Sequence, residues 1–164
     1  MGEIKIRKGI FPAKTKLIFS FQNTFINPLF FKQMPFFLAR VFQIPREKVV
    51  EKSFKWDVTS PKENSFIGRW VCVEEGVIPG VNLIYDVRVK GSAGKSDGRG
   101  SIGFAVKSEI ETEISYSSFI EKYLKIFYFR AFYLKKMEGA KEIGRIKVSR
   151  LENALKEIFG GEKK

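Results

Sequence analysis

Alternating apolar and polar positions run through much of the chain and predict β-strands. Two short alternations lie near the start, at 4–7 and at 16–21 (KLIFSF). Four further stretches follow after a segment that lacks this period: 50–58, 66–73, 83–90 and 102–116. The connections between these later stretches are about seven to ten residues long, which is too short for helical crossovers. The sequence therefore predicts antiparallel neighbours in a meander.

A phenylalanine-rich segment, FINPLFFKQMPFFLARVF at 25–42, separates the early strands from the meander. Asn27 and the proline after it suit the start of a helix. Pro35 would clash with the preceding turn and removes one backbone hydrogen bond. We therefore expect two short helices here, at 28–34 and 36–43.

The last third of the chain predicts helices. Ser118 and Glu121 form a capping box that opens a helix to about 138, and Gly139 is its predicted end. The apolar positions of this helix extend almost all round it, which indicates enclosure by other elements or by a bound molecule. A separate last helix is predicted at 150–159.

These elements predict one α+β domain over residues 1–164. Its curved antiparallel sheet of about six strands would pack around a long C-terminal helix, with short helices after the first strands. This order of elements resembles the helix-grip fold of the START-like superfamily. The resemblance implies that the short helices cover a cavity between the sheet and the C-terminal helix. The first strand and the last helix depart from the usual pattern of that fold.

The composition argues against most catalytic chemistry. The chain has no histidine, which removes the commonest general base and metal ligand. Cys72 is the single cysteine, so an intramolecular disulfide is excluded and a cysteine-based metal site is not expected. We find no catalytic residue to name and expect neither a metal nor a cofactor, and the composition favours a protein that is not an enzyme.

Two local patterns suggest chemistry that their context does not support. The predicted loop GSAGKSDGRG at 91–100 contains the end of a phosphate-binding motif, but Val89 stands where its first glycine belongs and a strand follows it. Glu109, Glu111 and Glu113 recur every second residue, so they form a row on the outer face of one strand. We expect that row to be solvated and to pair with lysine or arginine from adjacent strands.

The net charge of +12 is concentrated at the two ends of the chain. Residues 1–48 hold nine basic and two acidic residues, and residues 118–164 hold twelve and six. If the ends meet, they form a basic face suited to nucleic acid. This alternative function would use Lys5, Arg7, Lys8, Lys14, Lys16, Lys135, Lys136, Lys141, Arg145, Lys147 and Arg150.

The leading hypothesis is a non-catalytic protein that binds an apolar or amphipathic small molecule between its sheet and its C-terminal helix. An acidic head group would suit the positive charge. The predicted ligand-binding residues are Phe30, Phe31, Met34, Phe37, Trp56, Arg69, Trp70, Tyr85, Phe104, Tyr123, Phe127 and Tyr128. The phenylalanine-rich segment would be the lid of this site. It could instead be plain core, the interface of a homodimer, or a peripheral membrane contact.

The sequence also bears on location. The N-terminus lacks the apolar stretch of a secretory signal, and the longest uncharged run, 17–31, is too short and too polar to span a bilayer. We expect a cytoplasmic protein without a transmembrane segment. The 21 lysines and 15 glutamates are a balance typical of organisms that grow at high temperature.

Overall fold

The computed structural model describes residues 2–11 and 16–160, and it shows the predicted α+β fold. An open six-stranded antiparallel sheet packs against a long C-terminal helix. The strands are β1 (Gly2–Gly9), β2 (Leu17–Phe25), β3 (Val49–Asp57), β4 (Glu63–Ile78), β5 (Val81–Gly94) and β6 (Arg99–Tyr116). The helices are α1 (Pro28–Phe42), a 3₁₀ turn (Arg46–Lys48), α2 (Phe119–Tyr128), a π-helical segment (Phe129–Tyr133) and α3 (Leu134–Phe159).

The sheet has the order β1-β6-β5-β4-β3, and β2 also pairs with β6. β1 pairs with residues 109–116 of β6, whereas β2 pairs with residues 99–106 of the same edge. The two N-terminal strands therefore lie one after the other along a single 18-residue partner. The meander from β3 to β6 is confirmed.

Helices α1 and α3 pack on one face of the sheet, here called the inner face, and on each other. The alternation of β5 and β6 points one set of side chains at these helices and the other set away from them. The inner set is almost fully buried: Val81, Leu83, Tyr85, Val87 and Val89 of β5, with Ile102, Phe104, Val106 and Ile110 of β6. The outer set is half-buried or exposed, except for Glu111, which is buried.

The phenylalanine-rich segment forms one helix rather than the two that were predicted. α1 continues through Pro35, which is buried inside it. A proline inside a helix costs about 3 kcal/mol. Phe31, Leu38 and Phe42 each bury almost their whole side chain on this helix, and such burial contributes about 1.5–3 kcal/mol each. Packing on the sheet therefore outweighs the proline.

The C-terminal helix is likewise continuous where a break was predicted. It extends for 41 residues through Gly139, where an added Cβ would meet nothing. A glycine inside a helix costs only about 1 kcal/mol relative to alanine. The helix continues because its buried residues recur at helical spacing across this position: Met137, Ala140, Gly144, Val148, Leu151 and Leu155. The predicted cap at Ser118 is confirmed, since the Glu121 amide donates to Ser118 Oγ at 3.2 Å, while the Glu121 carboxylate accepts from the amide of Ser117 and not from that of Ser118.

The glycine-rich stretch 91–100 is mostly strand instead of loop, because β5 and β6 continue to pair as far as Ala93 and Gly100. At Gly91 an added Cβ would collide with the carbonyl oxygen of Ser101, and at Gly100 it would collide with that of Ser92. Glycine allows the close approach of the two strands here, so the composition of a loop was misleading.

Glu111 and Glu113 of the glutamate row pair with basic residues of the adjacent strand β1, as predicted, but Glu111 is buried where a solvated side chain was expected, and the partner of Glu109 is on β6 itself. Arg7 Nε of β1 donates to Glu111 Oε2 at 2.6 Å, and Lys5 Nζ lies 3.9 Å from Glu113 Oε2. Lys107 Nζ lies 2.6 Å from Glu109 Oε1. The row therefore belongs to an ion-pair network on the outer face.

Candidate functional site

Most of the predicted ligand-binding residues lie in a packed core beneath α1. The ring centroid of Phe31 lies 5.3 Å from that of Phe54 and 4.8 Å from that of Phe66. Phe42 stacks on Tyr85 with centroids 4.2 Å apart. Eight predicted residues are core or pack against it: Phe30, Phe31, Met34, Phe37, Trp56, Trp70, Tyr85 and Phe104. The structure thus makes α1 a core helix at these positions, where a lid over a cavity was expected.

The other four predicted residues do not join this group. Arg69 lies on the outer face, where its guanidinium donates to both carboxylate oxygens of Asp86 at 3.0 Å. Tyr123, Phe127 and Tyr128 are more than half exposed on α2. The predicted residues therefore divide among a core, an outer ion pair and an exposed helix.

A polar cluster inside the sheet–helix interface was not predicted. Lys147 of α3 donates through Nζ to the Phe42 carbonyl at 2.6 Å and to Glu74 Oε1 at 2.5 Å. Tyr85 donates its hydroxyl to the same carboxylate at 3.4 Å. Burial, together with the adjacent negative charge of Glu74, raises the pKa of Tyr85 far above its usual value. Burial also raises the pKa of the Cys72 thiol to about 12.

The residues of the predicted basic face do not form one surface. Lys5 and Arg7 lie on the outer side of the sheet, whereas α3 covers the inner side. Lys147 is buried in the cluster above, so it cannot contact a nucleic acid. Lys141 pairs with Glu138 at 2.5 Å and Arg145 pairs with Glu142 at 3.3 Å. Lys8, Lys16, Lys135, Lys136 and Arg150 are exposed, and Lys14 lies outside the described residues.

A cavity of about 260 Å³ does lie between the sheet and the C-terminal helix, beyond the end of the packed core. It is bounded by the last turn of the β4–β5 hairpin, the end of β6, and the helix around the π-helical segment. Its lining is Gly80, Thr112, Glu113, Ile114, Ser115, Lys125, Tyr128, Phe129 and Tyr133. Of the twelve predicted residues, only Tyr128 is in this lining. We call this space the helix cavity.

The π-helical segment sets the aromatic wall of the helix cavity. Phe129 is buried and Tyr133 stacks beside it, with ring centroids 5.6 Å apart and nearly parallel. The Tyr133 hydroxyl donates to the Pro79 carbonyl at 2.8 Å, which ties the segment to the β4–β5 hairpin. Single π-helical turns occur often at functional sites. Here the turn brings two aromatic rings to the same wall.

The rim of the helix cavity carries one basic and one acidic side chain. Lys125 Nζ donates to the Ser115 carbonyl at 2.7 Å and lies 2.6 Å from Glu121 Oε1. The hydrogen bond with the adjacent carboxyl of Glu3 raises the pKa of Glu113 above its usual value. The rim therefore has little net charge to offer a ligand.

Thr112 is the polar group of the lining that lacks a partner. Its side chain is 3% exposed, and Oγ1 has no hydrogen-bond partner among the described residues. Ser108, four residues earlier on the same strand, is buried and unpartnered in the same way but does not line the helix cavity. The sequence indicates both buried hydroxyls. Every second residue from Ile102 to Ile114 faces the core, and Ser108 and Thr112 are the polar residues in this otherwise apolar series.

A larger cleft of about 990 Å³ lies at the opposite end of the molecule, between the start of α1 and the end of α3. Phe30 and Phe159 line it, together with polar groups that include Gln22, Asn23 and Arg99. Within the described part of the chain, none of the buried unpartnered side-chain atoms belongs to this lining.

Across residues 2–11 and 16–160, no helix combines the length and the apolar character that crossing a membrane requires. No protein-family model, curated protein or solved structure matches the chain. The likeness to the helix-grip fold therefore stays a prediction based on the order of elements.

Proposed function

We propose that the protein binds a small amphipathic molecule in the helix cavity, between the sheet and the C-terminal helix. The observation that carries this proposal is Thr112. Its buried hydroxyl has no partner, and it belongs to the lining of an aromatic cavity. The site lies in the layer that the sequence predicted for a ligand, but at the π-helical segment and not beneath α1.

The unpartnered hydroxyl favours a ligand with a hydrogen-bonding group. Leaving a buried hydroxyl without a partner costs about 1–3 kcal/mol. Thr112 Oγ1 is shielded from solvent, so a ligand recovers this free energy when it displaces the covering side chain and then donates to or accepts from that atom. Polar groups that fix orientation within a mostly apolar pocket are the usual arrangement of small-molecule sites.

The walls favour an aromatic or apolar body for this ligand. Tyr128, Phe129 and Tyr133 present ring surface, and aromatic contacts contribute about 0.5–1.5 kcal/mol beyond the area that they bury. Because Lys125 is already paired with Glu121, the rim does not select a strong anion. A neutral or weakly acidic ligand fits better than the acidic head group expected from the overall charge.

The volume limits the size of the ligand. A cavity of 260 Å³ corresponds to about nine water molecules, at ~30 Å³ of liquid volume each. This is below the range of drug-sized sites, which begins at about 300 Å³. A single substituted aromatic ring has a suitable size.

The first experiment is native mass spectrometry of the purified protein, followed by organic extraction and identification of any molecule that it carries. A phenol-like or other small amphipathic molecule at near one-to-one stoichiometry would support the proposal. A stoichiometric long-chain lipid would contradict it, because a lipid of that size exceeds the helix cavity.

A defined probe tests the role of Thr112. We expect 4-propylphenol to bind in ligand-observed NMR and propylbenzene to bind more weakly. Thr112→Val removes the hydroxyl at nearly constant volume and should weaken 4-propylphenol binding by about tenfold, which corresponds to about 1.4 kcal/mol. Ser108→Ala is the matched control, since it removes an equally buried hydroxyl outside the cavity and should leave binding unchanged. Equal effects of the two substitutions, or no binding of either probe, would refute the proposal.

The nucleic-acid alternative stays a prediction with less support. Its basic residues divide between the two sides of the sheet, and several are paired with carboxylates. It predicts that log affinity for nucleic acid falls linearly with log salt concentration.

A further inference from the structure

Helix α2 exposes a large apolar surface that does not belong to the proposed ligand site. It has no buried residue. Its exposed apolar residues recur at spacings of one, three and four along two turns, so they share one side of the helix. They are Phe119, Ile120, Tyr123, Leu124 and Phe127, each between 56% and 72% exposed. We call them the apolar stripe.

The apolar stripe faces away from the body of the protein, and the polar side of α2 faces toward it. Lys122 Nζ lies 5.5 Å from the ring centroid of Tyr116, and Lys125 Nζ donates to the Ser115 carbonyl, both at the end of β6. Glu121 accepts from the Ser117 amide at 2.7 Å. A surface helix of a globular protein normally turns its apolar side inward. The reversed orientation of α2 indicates that its apolar side meets something outside the chain.

The exposed apolar area of the stripe is large for a monomeric protein. An aromatic side chain covers about 150–250 Å². At the exposures above, the three aromatic and two aliphatic side chains of the stripe together present roughly 600 Å². This is the upper end of the largest apolar patch found on typical monomers, and patches of this size are often functional.

The charge around the stripe identifies the kind of surface that it fits. Residues 119–136 contain five basic residues and one acid, Glu121, which Lys125 already pairs. In the described part of the chain, Lys122, Arg130, Lys135 and Lys136 have no carboxylate within salt-bridge distance. A second copy of the chain would bring the same positive charge alongside, which opposes self-association. A surface with negative charge and an apolar interior complements both features.

We propose that α2 docks on an anionic lipid surface, with the apolar stripe inserted at the boundary between head groups and acyl chains. Interfacial helices of this kind combine an apolar side rich in aromatic residues with lysine and arginine beside it. Arg130 of the π-helical segment and Lys135 and Lys136 of the first turn of α3 are exposed just beyond the end of α2, and they contact lipid phosphates. The helix lies along the membrane surface while the sheet remains in water.

Vesicle flotation tests this proposal with defined lipids. The full chain is mixed with vesicles of equal parts phosphatidylglycerol and phosphatidylcholine, or of phosphatidylcholine alone, at 50 and 500 mM salt. We expect at least tenfold stronger partitioning to the anionic vesicles at low salt, and a marked loss at high salt. The triple substitution Ile120→Ser, Leu124→Ser and Phe127→Ser should reduce partitioning at least tenfold. Lys135→Gln with Lys136→Gln should reduce it severalfold on anionic vesicles only.

The matched control lies on the outer face of the sheet. Ile18→Ser with Ile67→Ser replaces apolar residues that are 73% and 57% exposed, and it should leave partitioning unchanged. Three outcomes would overturn the proposal: no flotation with anionic vesicles, equal loss in this control, or a dimer in sedimentation that the α2 triple substitution abolishes. Unchanged circular dichroism confirms that the α2 variants fold. Binding of 4-propylphenol to the Ile120, Leu124 and Phe127 variant reports on the helix cavity separately, since none of these three residues lines it.

Discussion

The two halves of the C-terminal helix differ in what they contact, although both carry many apolar residues. α3 lies on the sheet and buries Met137, Val148, Leu151 and Leu155, whereas α2 extends past the core and buries nothing. The two halves meet at the π-helical segment. In this one continuous helix, α3 therefore stabilises the fold by packing on the sheet, whereas α2 leaves its apolar side exposed for binding.

The composition of each half explains this division. α3 places the small residues Ala140 and Gly144 on its buried side, and an added Cβ at Gly144 would collide with Ile10. Such close approach lets the helix pack tightly on the sheet. α2 has the bulky polar side chains of Lys122 and Lys125 on the side that faces the sheet, and Lys125 donates to the Ser115 carbonyl at the end of β6. Apolar content alone does not determine burial.

The largest expected difference between the halves comes from removing one leucine side chain in each. Leu151→Ala in α3 should lower the free energy of unfolding by about 2–5 kcal/mol, because this side chain is fully buried. Leu124→Ala in α2 should change it by no more than about 0.5 kcal/mol, since that side chain is 64% exposed. Urea denaturation of both variants measures the difference. Similar losses in the two would show that α2 is packed in solution.

The buried ion pair of α3 should respond more strongly than an exposed pair on the same helix. Lys147→Met leaves Glu74 without its cation, and we expect a loss of about 2–3 kcal/mol in the free energy of unfolding. Lys141→Met is the control, because Glu138 remains exposed and the loss should be below about 1 kcal/mol. Combining Lys147→Met with Glu74→Leu should restore much of the stability. A persistent loss in the double variant would mean that packing or the lost hydrogen bonds of Tyr85 and the Phe42 carbonyl, and not the unpaired charge, cause it.

The start of α2 should respond to acid while α3 does not. The carboxylate of Glu121 accepts hydrogen bonds from Lys125 and Ser117, which lowers its pKa to about 2. Because the folded value lies below the unfolded one of about 4.3, the cap is complete above about pH 5 and is lost as the pH falls toward 2. Carbon chemical shifts of residues 119–128 should therefore move toward coil over this range in the wild type. Glu121→Gln should remove the pH dependence, and an equal change in residues 145–158 would contradict a local effect.

The smallest expected effect tests whether the two halves are joined by an unbroken helix. Gly139→Ala should raise the free energy of unfolding by about 0.5–1 kcal/mol, because the position is helical and an added Cβ meets nothing. Thermal denaturation measures this gain. A loss of stability would indicate a break near Gly139, as the sequence alone suggested.

The sequence predicted the sheet well because its signal is local. Period-two patterns mark each strand of the meander, and short connections make their neighbours antiparallel. It failed at Pro35 and Gly139, where long-range packing outweighs an unfavourable local residue. Both failures lie on helices whose buried residues face the sheet.

The candidate site was only partly predictable. The sequence placed a ligand between sheet and helix, but the aromatic residues that suggested it fill the core, and Tyr128 alone lines the helix cavity. The position of this cavity depends on contacts between distant residues, such as the hydrogen bond from the Tyr133 hydroxyl to the Pro79 carbonyl, which joins residues 54 apart. Thr112 and Ser108 look alike in the sequence, and only the fold tells which of the two lines the cavity.

Native-state hydrogen exchange, resolved to segments, tests the central claim about the C-terminal helix most directly. We predict that amides in residues 145–158 exchange only through global unfolding, because their helix packs on the sheet. Amides in residues 119–128 should exchange by local opening at least a hundredfold faster, since no side chain there is buried. Equal protection of the two segments would contradict the account, because it would mean that α2 is held by packing as tightly as α3.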